Sequence, residues 1–280
     1  MYNLLISLAI SAGLFGAVAV FLGWQPAILP ALFAFPVLMF FLARRTGASV
    51  QAAMEPLQAM LSTPVQTPAE QQQRLREADG LLVTIQKTYG GWQFLISDQL
   101  DNQRGMLRYM SKNFDEALPL LQKGWWRDWM SQAAEGCIHI RNNDADKAWE
   151  AFEAAASSSK KELMVYVLWG TLAAKAGDHE QAVKAFSSGL ENLENHSLLK
   201  ELKNHVANKE AIPTEKLPDA WYTTFFPEEL ERLMKMRGGR GVHPVVQRLM
   251  EQQGVDPRQV ARQQQARPMG RGTGKRSRRR

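Results

Sequence analysis

The hydrophobic pattern divides the chain sharply. Leu4 to Gly23 is apolar at every position except Ser7 and Ser11. Twenty residues at a rise of ~1.5 Å each match a hydrocarbon layer ~30 Å thick. A second apolar run of seventeen, Ala27 to Ala43, follows and contains Pro30 and Pro36. Between the two lies Gly23-Trp24-Gln25-Pro26, a turn sequence with an interfacial aromatic. Neither run is amphipathic, which argues against a hairpin buried in a soluble core. No Lys or Arg precedes the first run and a second follows at once, which argues against a secretory leader. The expectation is a transmembrane helical hairpin over 1–45, and full crossing and a shallow dip both fit its length. Arg44-Arg45 directly after the second run predicts that the rest of the chain is cytoplasmic.

Beyond the hairpin the period changes to that of surface helices. Ala48 to Leu61 reads as a juxtamembrane helix, and Ser62-Thr63-Pro64 with Thr67-Pro68 reads as a linker, giving a second region over 46–66. Thr67-Pro68-Ala69-Glu70 is a helix start: Thr as N-cap, Pro at the first helical position and Glu closing a capping box. Leu75, Ala78, Leu82 and Ile85 then share one face, and Gly90-Gly91 ends the helix. From Trp92 to about Ala211 the pattern is helices and short polar turns, with no alternating β-branched run. Ser197 to Lys209, with Leu198, Leu199, Leu202 and Val206 on one face, reads as a capping helix. Pro213 and Pro218 open a linker. The patch Trp221-Tyr222-Thr223-Thr224-Phe225-Phe226 leads into a short helix from Pro227 to about Met236. Further short helical pieces are expected near Pro244–Gln253 and Pro257–Gln265 within a region spanning 211–266. The fold class expected is all-α.

An internal period stands out in the middle region. Gly136 and Gly170 are 34 residues apart, as are Asp144 and Asp178, Ala148 and Ala182, and Phe152 and Phe186. Gly105, Asn113, Ala117 and Leu121 form a third copy upstream. Small residues on both helices of a pair let the backbones approach, and Phe or Leu fills the gap. Tyr166-x2-Trp169-Gly170-x2-Ala173, Gly177-Asp178 and Ala182-x3-Phe186 resemble the tetratricopeptide repeat, a 34-residue helix–turn–helix unit. No copy has the family's closing proline, and Gln132 and Glu135 replace its usual aromatic and leucine. The resemblance implies an α-solenoid domain over 67–210, with repeats at about 98–128, 129–161 and 163–196.

It also implies a concave groove lined by the first helix of each repeat. Carried over by position, the groove is Gln99, Asn102, Met106 and Tyr109, then Met130, Ala133, Cys137 and Ile140, then Met164, Val167, Thr171 and Ala174. Members that grip acidic chaperone C-termini use Lys and Asn there. Only Asn102 fits that clamp, so a hydrophobic protein partner is the expectation. Equally open is that these residues are core, or are covered by the chain's own 221–226 segment.

Charge changes the picture at one end. Residues 1–43 carry no charged side chain, whereas the segment from Arg232 onward carries 14 Lys/Arg against 2 Asp/Glu. The net +6 and pI of 9.5 therefore describe a tail on an acidic body. Arg267, Arg271, Lys275, Arg276, Arg278, Arg279 and Arg280, interleaved with Gly and Pro, predict a disordered basic tail over 267–280. Anionic lipid and RNA or the ribosome are both available to it, as is a plain solubilising role. One cysteine, Cys137, and five scattered histidines offer no disulfide framework and no metal spacing. Gly238-Gly239-Arg240-Gly241 lacks the strand and Lys-Ser/Thr of a phosphate loop. No cofactor and no catalytic activity are expected. The function expected is a membrane-anchored scaffold of the bacterial inner membrane that binds other proteins. The alternative is an RNA- or ribosome-docking factor working through its tail.

Overall fold

A computed structural model describes residues 1–63, 68–93, 95–235 and 244–252. All regular structure among these residues is helical. The described residues fall into two compact units that divide after Asn208.

In the first unit α1 (Tyr2–Leu22) and α2 (Trp24–Ser62) lie side by side. Gly23 alone makes the turn, at φ 86°, a conformation that favours glycine. The expected four-residue turn is therefore corrected: Trp24, Gln25 and Pro26 already belong to α2, where a proline in the first turn displaces no hydrogen bond. Asn3, Ser7 and Ser11 are buried at four-residue spacing, and the Asn3 amide donates to Thr46 Oγ1 on α2 at 2.9 Å. The Asn3–Thr46 hydrogen bond thus ties the two helices together, while Ser7 Oγ donates within α1 to Asn3 O at 2.8 Å. Their large apolar side chains, including Leu8, Phe21, Leu32, Phe33 and Phe41, point outward. Only 11% and 6% of the two apolar windows are buried, so these are not core helices of a globular domain. Both are long and apolar enough to cross a membrane.

A second correction concerns the stretch after Arg45. The juxtamembrane helix is not separate: α2 runs unbroken through Pro30, Pro36 and Pro56 for 39 residues. At 1.5 Å per residue this is about 58 Å, nearly twice a hydrocarbon layer. Its far half packs on the two helices that follow. Val50, Ala53, Met54, Leu57 and Met60 meet Leu75, Ala78, Leu82 and Ile85 of α3 (Pro68–Tyr89) and Leu100 of α4 (Ile96–Met110). Thr67 of the expected capping box lies outside the described residues. Buried charge also joins α3 to α4. Asp79 accepts from Arg104 at 3.0 Å and Arg108 at 2.5 Å, while Gln86 donates to Asp101 at 2.8 Å.

Three helix pairs follow: α4 with α5 (Phe114–Lys123), α6 (Trp129–Arg141) with α7 (Ala145–Ser158), and α8 (Leu163–Ala176) with α9 (His179–Asn192). The first helices also touch in sequence, α4 to α6 and α6 to α8. Each pair closes on the same contact. A Cβ at Gly105 would lie 2.7 Å from Leu121, at Gly136 2.8 Å from Phe152, and at Gly170 2.5 Å from Phe186. α10 (Ser197–Ala207) covers the last pair through buried Leu199, Leu202 and Val206.

The second unit holds a 3-10 turn (Thr214–Lys216), a π-helical turn (Trp221–Phe225), α11 (Pro227–Lys235) and α12 (Pro244–Gln252). Trp221 stacks on Phe226 at 4.7 Å and its indole N–H donates to Glu229 at 2.7 Å. Arg248 on α12 pairs with Asp219 at 2.6 Å. Leu217, Trp221, Tyr222, Phe225, Val245 and Val246 are all buried. The aromatic patch expected to lead into a short helix does so, and its Trp221, Tyr222 and Phe225 are buried. The expected helix near 257–265 and the whole basic tail lie outside the described residues.

Candidate protein-interaction surface

Positions carried over as groove residues sit on α4, α6 and α8, and burial separates them into two sets. Asn102, Tyr109, Ala133, Cys137, Met164, Val167 and Thr171 are buried. Met106, Ile140 and Ala174 are half-buried, and Gln99 and Met130 are exposed. The reason is close packing between successive first helices. α6 touches both α4 and α8, and its small residues Ala133 and Cys137 are fully buried, Cys137 against Tyr109 of α4. Of the groove positions, Gln99 and Met130 are open to a partner, with Met106, Ile140 and Ala174 partly so.

The buried set has chemistry of its own. The Tyr109 hydroxyl lies against Cys137 and Arg141 of α6, and its ring packs edge-on to Phe114 at 5.4 Å. Burial raises this phenol well above its ordinary 10, the thiol adds to the rise, and the guanidinium opposes it. Burial likewise raises Tyr166, and pushes Tyr222 up to about 12. A raised phenol favours the folded state while it stays protonated. Unfolded tyrosines ionise near ~10, so stability is constant below that pH and falls as pH climbs from there toward the folded values. In an alkaline titration followed by phenolate absorbance, Tyr109 should ionise only with unfolding. Tyr109→Phe should remove part of the alkaline loss of stability. A normal titration of all five tyrosines in the folded protein would refute this burial.

Asn102 holds a turn in place. Its amide donates to Trp125 O at 3.0 Å across 23 residues, and its Oδ1 fills the space where a Cβ on Gly124 would stand. Trp125 N donates to Asp98 O at 3.2 Å. Asp128 caps α6 by accepting from Met130 N at 3.2 Å and Ser131 Oγ at 2.6 Å. Gln132 Nε2 donates to Trp126 O at 2.6 Å. Hydrogen bonds within the protein thus brace this corner, which displays Trp126, Arg127 and Met130. Trp126 is 64% exposed and Met130 37%, with Arg127 over the Trp126 ring at 4.6 Å. A rigidly presented Trp beside Met and Arg has the composition of a binding hot spot. Three tryptophans in five residues were the visible signal, but the pattern along the chain does not say which one faces water. Trp125 and Trp129 are half-buried.

Among the described residues no three His, Cys, Asp or Glu side chains are placed to hold a metal ion. His139 and Glu135 approach only to 3.6 Å, as an i, i+4 pair. The tail residues Arg267, Arg271, Lys275, Arg276, Arg278, Arg279 and Arg280 lie outside the described part. Comparison with protein-family models, curated proteins and solved structures yields no match.

Proposed function

We propose that this chain is a membrane-anchored, non-catalytic adaptor. In it α1 and α2 cross the bilayer as a hairpin, and tetratricopeptide-like repeats stand on the cytoplasmic face, that of a bacterial inner membrane. The repeats bind a protein partner there. The observation that carries this reading is the threefold recurrence of one contact, Gly against Leu121, Phe152 and Phe186, in tandem helix pairs. Stacked pairs of this kind present extended surfaces and suit binding better than chemistry. Arg44-Arg45, at the end of the uncharged run, supports the cytoplasmic side. Trp126 and Met130 at the α5–α6 corner supply the docking residues, and Met106 on α4 and Ile140 on α6 are the other apolar side chains that the first helices leave at least partly exposed.

The test is crosslinked recovery of partners from solubilised membranes, comparing the parent with Trp126→Ala. Losing a hot-spot tryptophan costs about 2 kcal/mol or more, so recovery of a true partner should fall by more than tenfold. Helical content and melting should be unchanged, because the side chain is largely exposed. Equal recovery by both proteins would remove the corner from the reading. Association that survives Trp126→Ala but is RNA-dependent, salt-sensitive and lost on removing 267–280 would transfer the function to the tail.

A further inference from the structure

A pocket of about 270 Å³ opens where the hairpin meets the repeats. Its walls are Asn3 of α1, Arg45, Thr46 and Ser49 of α2, and Tyr89 and Trp92 from the α3–α4 connection. Backbone hydrogen bonds fix the walls: Tyr2 N donates to Gly91 O at 2.9 Å and Asn3 N to Trp92 O at 3.0 Å. The rings of Tyr2 and Trp92 meet edge-on at 5.6 Å.

The pocket lies at one defined level of the hairpin. The uncharged run ends at Ala43, and Leu42 lines the side of the pocket that faces it. On the membrane-spanning reading proposed above, this is the depth at which acyl chains give way to headgroups. Tyr2, Tyr89 and Trp92 gather there as interfacial aromatics do.

Two features define what the pocket takes. The first is uncompensated positive charge. Arg45 is exposed on the wall, and no Asp or Glu occurs in the chain before Glu55 or anywhere in the Tyr89–Trp92 connection. The second is an acceptor without a donor. Asn3 is 1% exposed, and its amide nitrogen is committed to Thr46, while its Oδ1 has no partner. A buried acceptor left unpaired is a standing cost that a ligand hydroxyl would relieve.

We infer that this pocket binds the headgroup of an anionic glycerophospholipid. The phosphodiester pairs with the Arg45 guanidinium, which suits phosphate oxygens as a planar fork. A headgroup hydroxyl donates to Asn3 Oδ1. Tyr89 and Trp92 flank the glycerol backbone, and the acyl chains run past Leu42 along the exposed apolar faces of α1 and α2. The lipid thereby fills the joint between the membrane helices and the repeats and fixes the angle between them.

The test uses the full chain in nonionic detergent, titrated with phosphatidylglycerol, phosphatidylcholine or soluble glycerol 3-phosphate, with bound copies counted by native mass spectrometry. Phosphatidylglycerol should bind saturably as a single tight copy. Arg45→Gln should weaken it by about tenfold, the usual effect of removing a charged hydrogen-bond partner. Arg44→Gln, at a position that does not line the pocket, should leave binding unchanged. Equal losses in both variants would show diffuse attraction and overturn the site. So would phosphatidylcholine binding as tightly as phosphatidylglycerol, or displacement of the lipid by glycerol 3-phosphate at similar concentration. The membrane reading fails separately, if the parent protein is released from membranes by carbonate. If the protein stays in the membrane and Arg45→Gln binds normally, only the pocket assignment fails.

Discussion

Gly170→Ala, a change of one methyl group, is expected to unfold the third helix pair at lower temperature than the parent. The new Cβ would stand 2.5 to 2.7 Å from three ring atoms of Phe186, well inside van der Waals contact. Phe186 is fully buried, so the ring has nowhere to swing. Overpacking of this kind costs roughly 1–3 kcal/mol, enough to lower Tm by several degrees. Phe186→Leu in the same chain should recover part of the loss, because the two residues share one space and their effects are then not additive. Gly80→Ala supplies the contrast. Gly80 is exposed in the middle of α3 with nothing within 4 Å of its missing Cβ. There the substitution should stabilise by about 0.5–1 kcal/mol, the difference in helix propensity. Thermal melting of the three variants decides the matter. If Gly170→Ala melts like the parent, the Gly–Phe contact is not what closes the pairs, and the threefold repeat loses its physical basis.

Truncation within α2 is expected to split two properties that one helix carries. The intact protein should remain in the membrane pellet through salt and carbonate washes. A chain lacking 1–43 should be soluble and folded, since it keeps Val50, Met54, Leu57 and Met60 against α3. A chain lacking 1–62 should also leave the membrane, but with the face of Leu75, Leu82 and Ile85 bare. Burial of Leu57 alone is worth about 1.5–3 kcal/mol, and four partners leave with it. That chain should melt at lower temperature than the first and self-associate. Equal melting of the two truncated chains would mean that the far half of α2 adds nothing to the stability of α3 and α4. The intact protein in the soluble fraction would end the membrane reading altogether.

How much of this was legible along the chain follows from which forces are local. The two apolar runs are visible because each position is apolar on its own account, and twenty such positions need no partner to be recognised. The face of Leu75, Ala78, Leu82 and Ile85 is visible because helical periodicity places these residues together before any tertiary contact forms. The Gly105–Leu121, Gly136–Phe152 and Gly170–Phe186 pairs are visible because one packing problem is solved three times at the same spacing.

Other features depend on residues far apart in sequence. Pro30 and Pro36 within the second run, and the change of pattern after Arg45, suggest a separate juxtamembrane helix. Even so α2 continues through them, because its far half gains a packing partner in α3 and α4 that local propensity cannot register. The resemblance assigns Tyr109, Cys137 and Val167 to an open groove, but contact between successive first helices decides that they are buried. Trp126 faces water because Asn102 and Asp98 fix Trp125 from more than twenty residues away. The pocket at Arg45 brings together Asn3, Arg45 and Trp92, each more than forty residues from the next. Composition and period therefore determined which segments are helices and which are apolar throughout. Only the tertiary structure decided which side chains are left at the surface, since exposure is what remains after distant neighbours have taken their places.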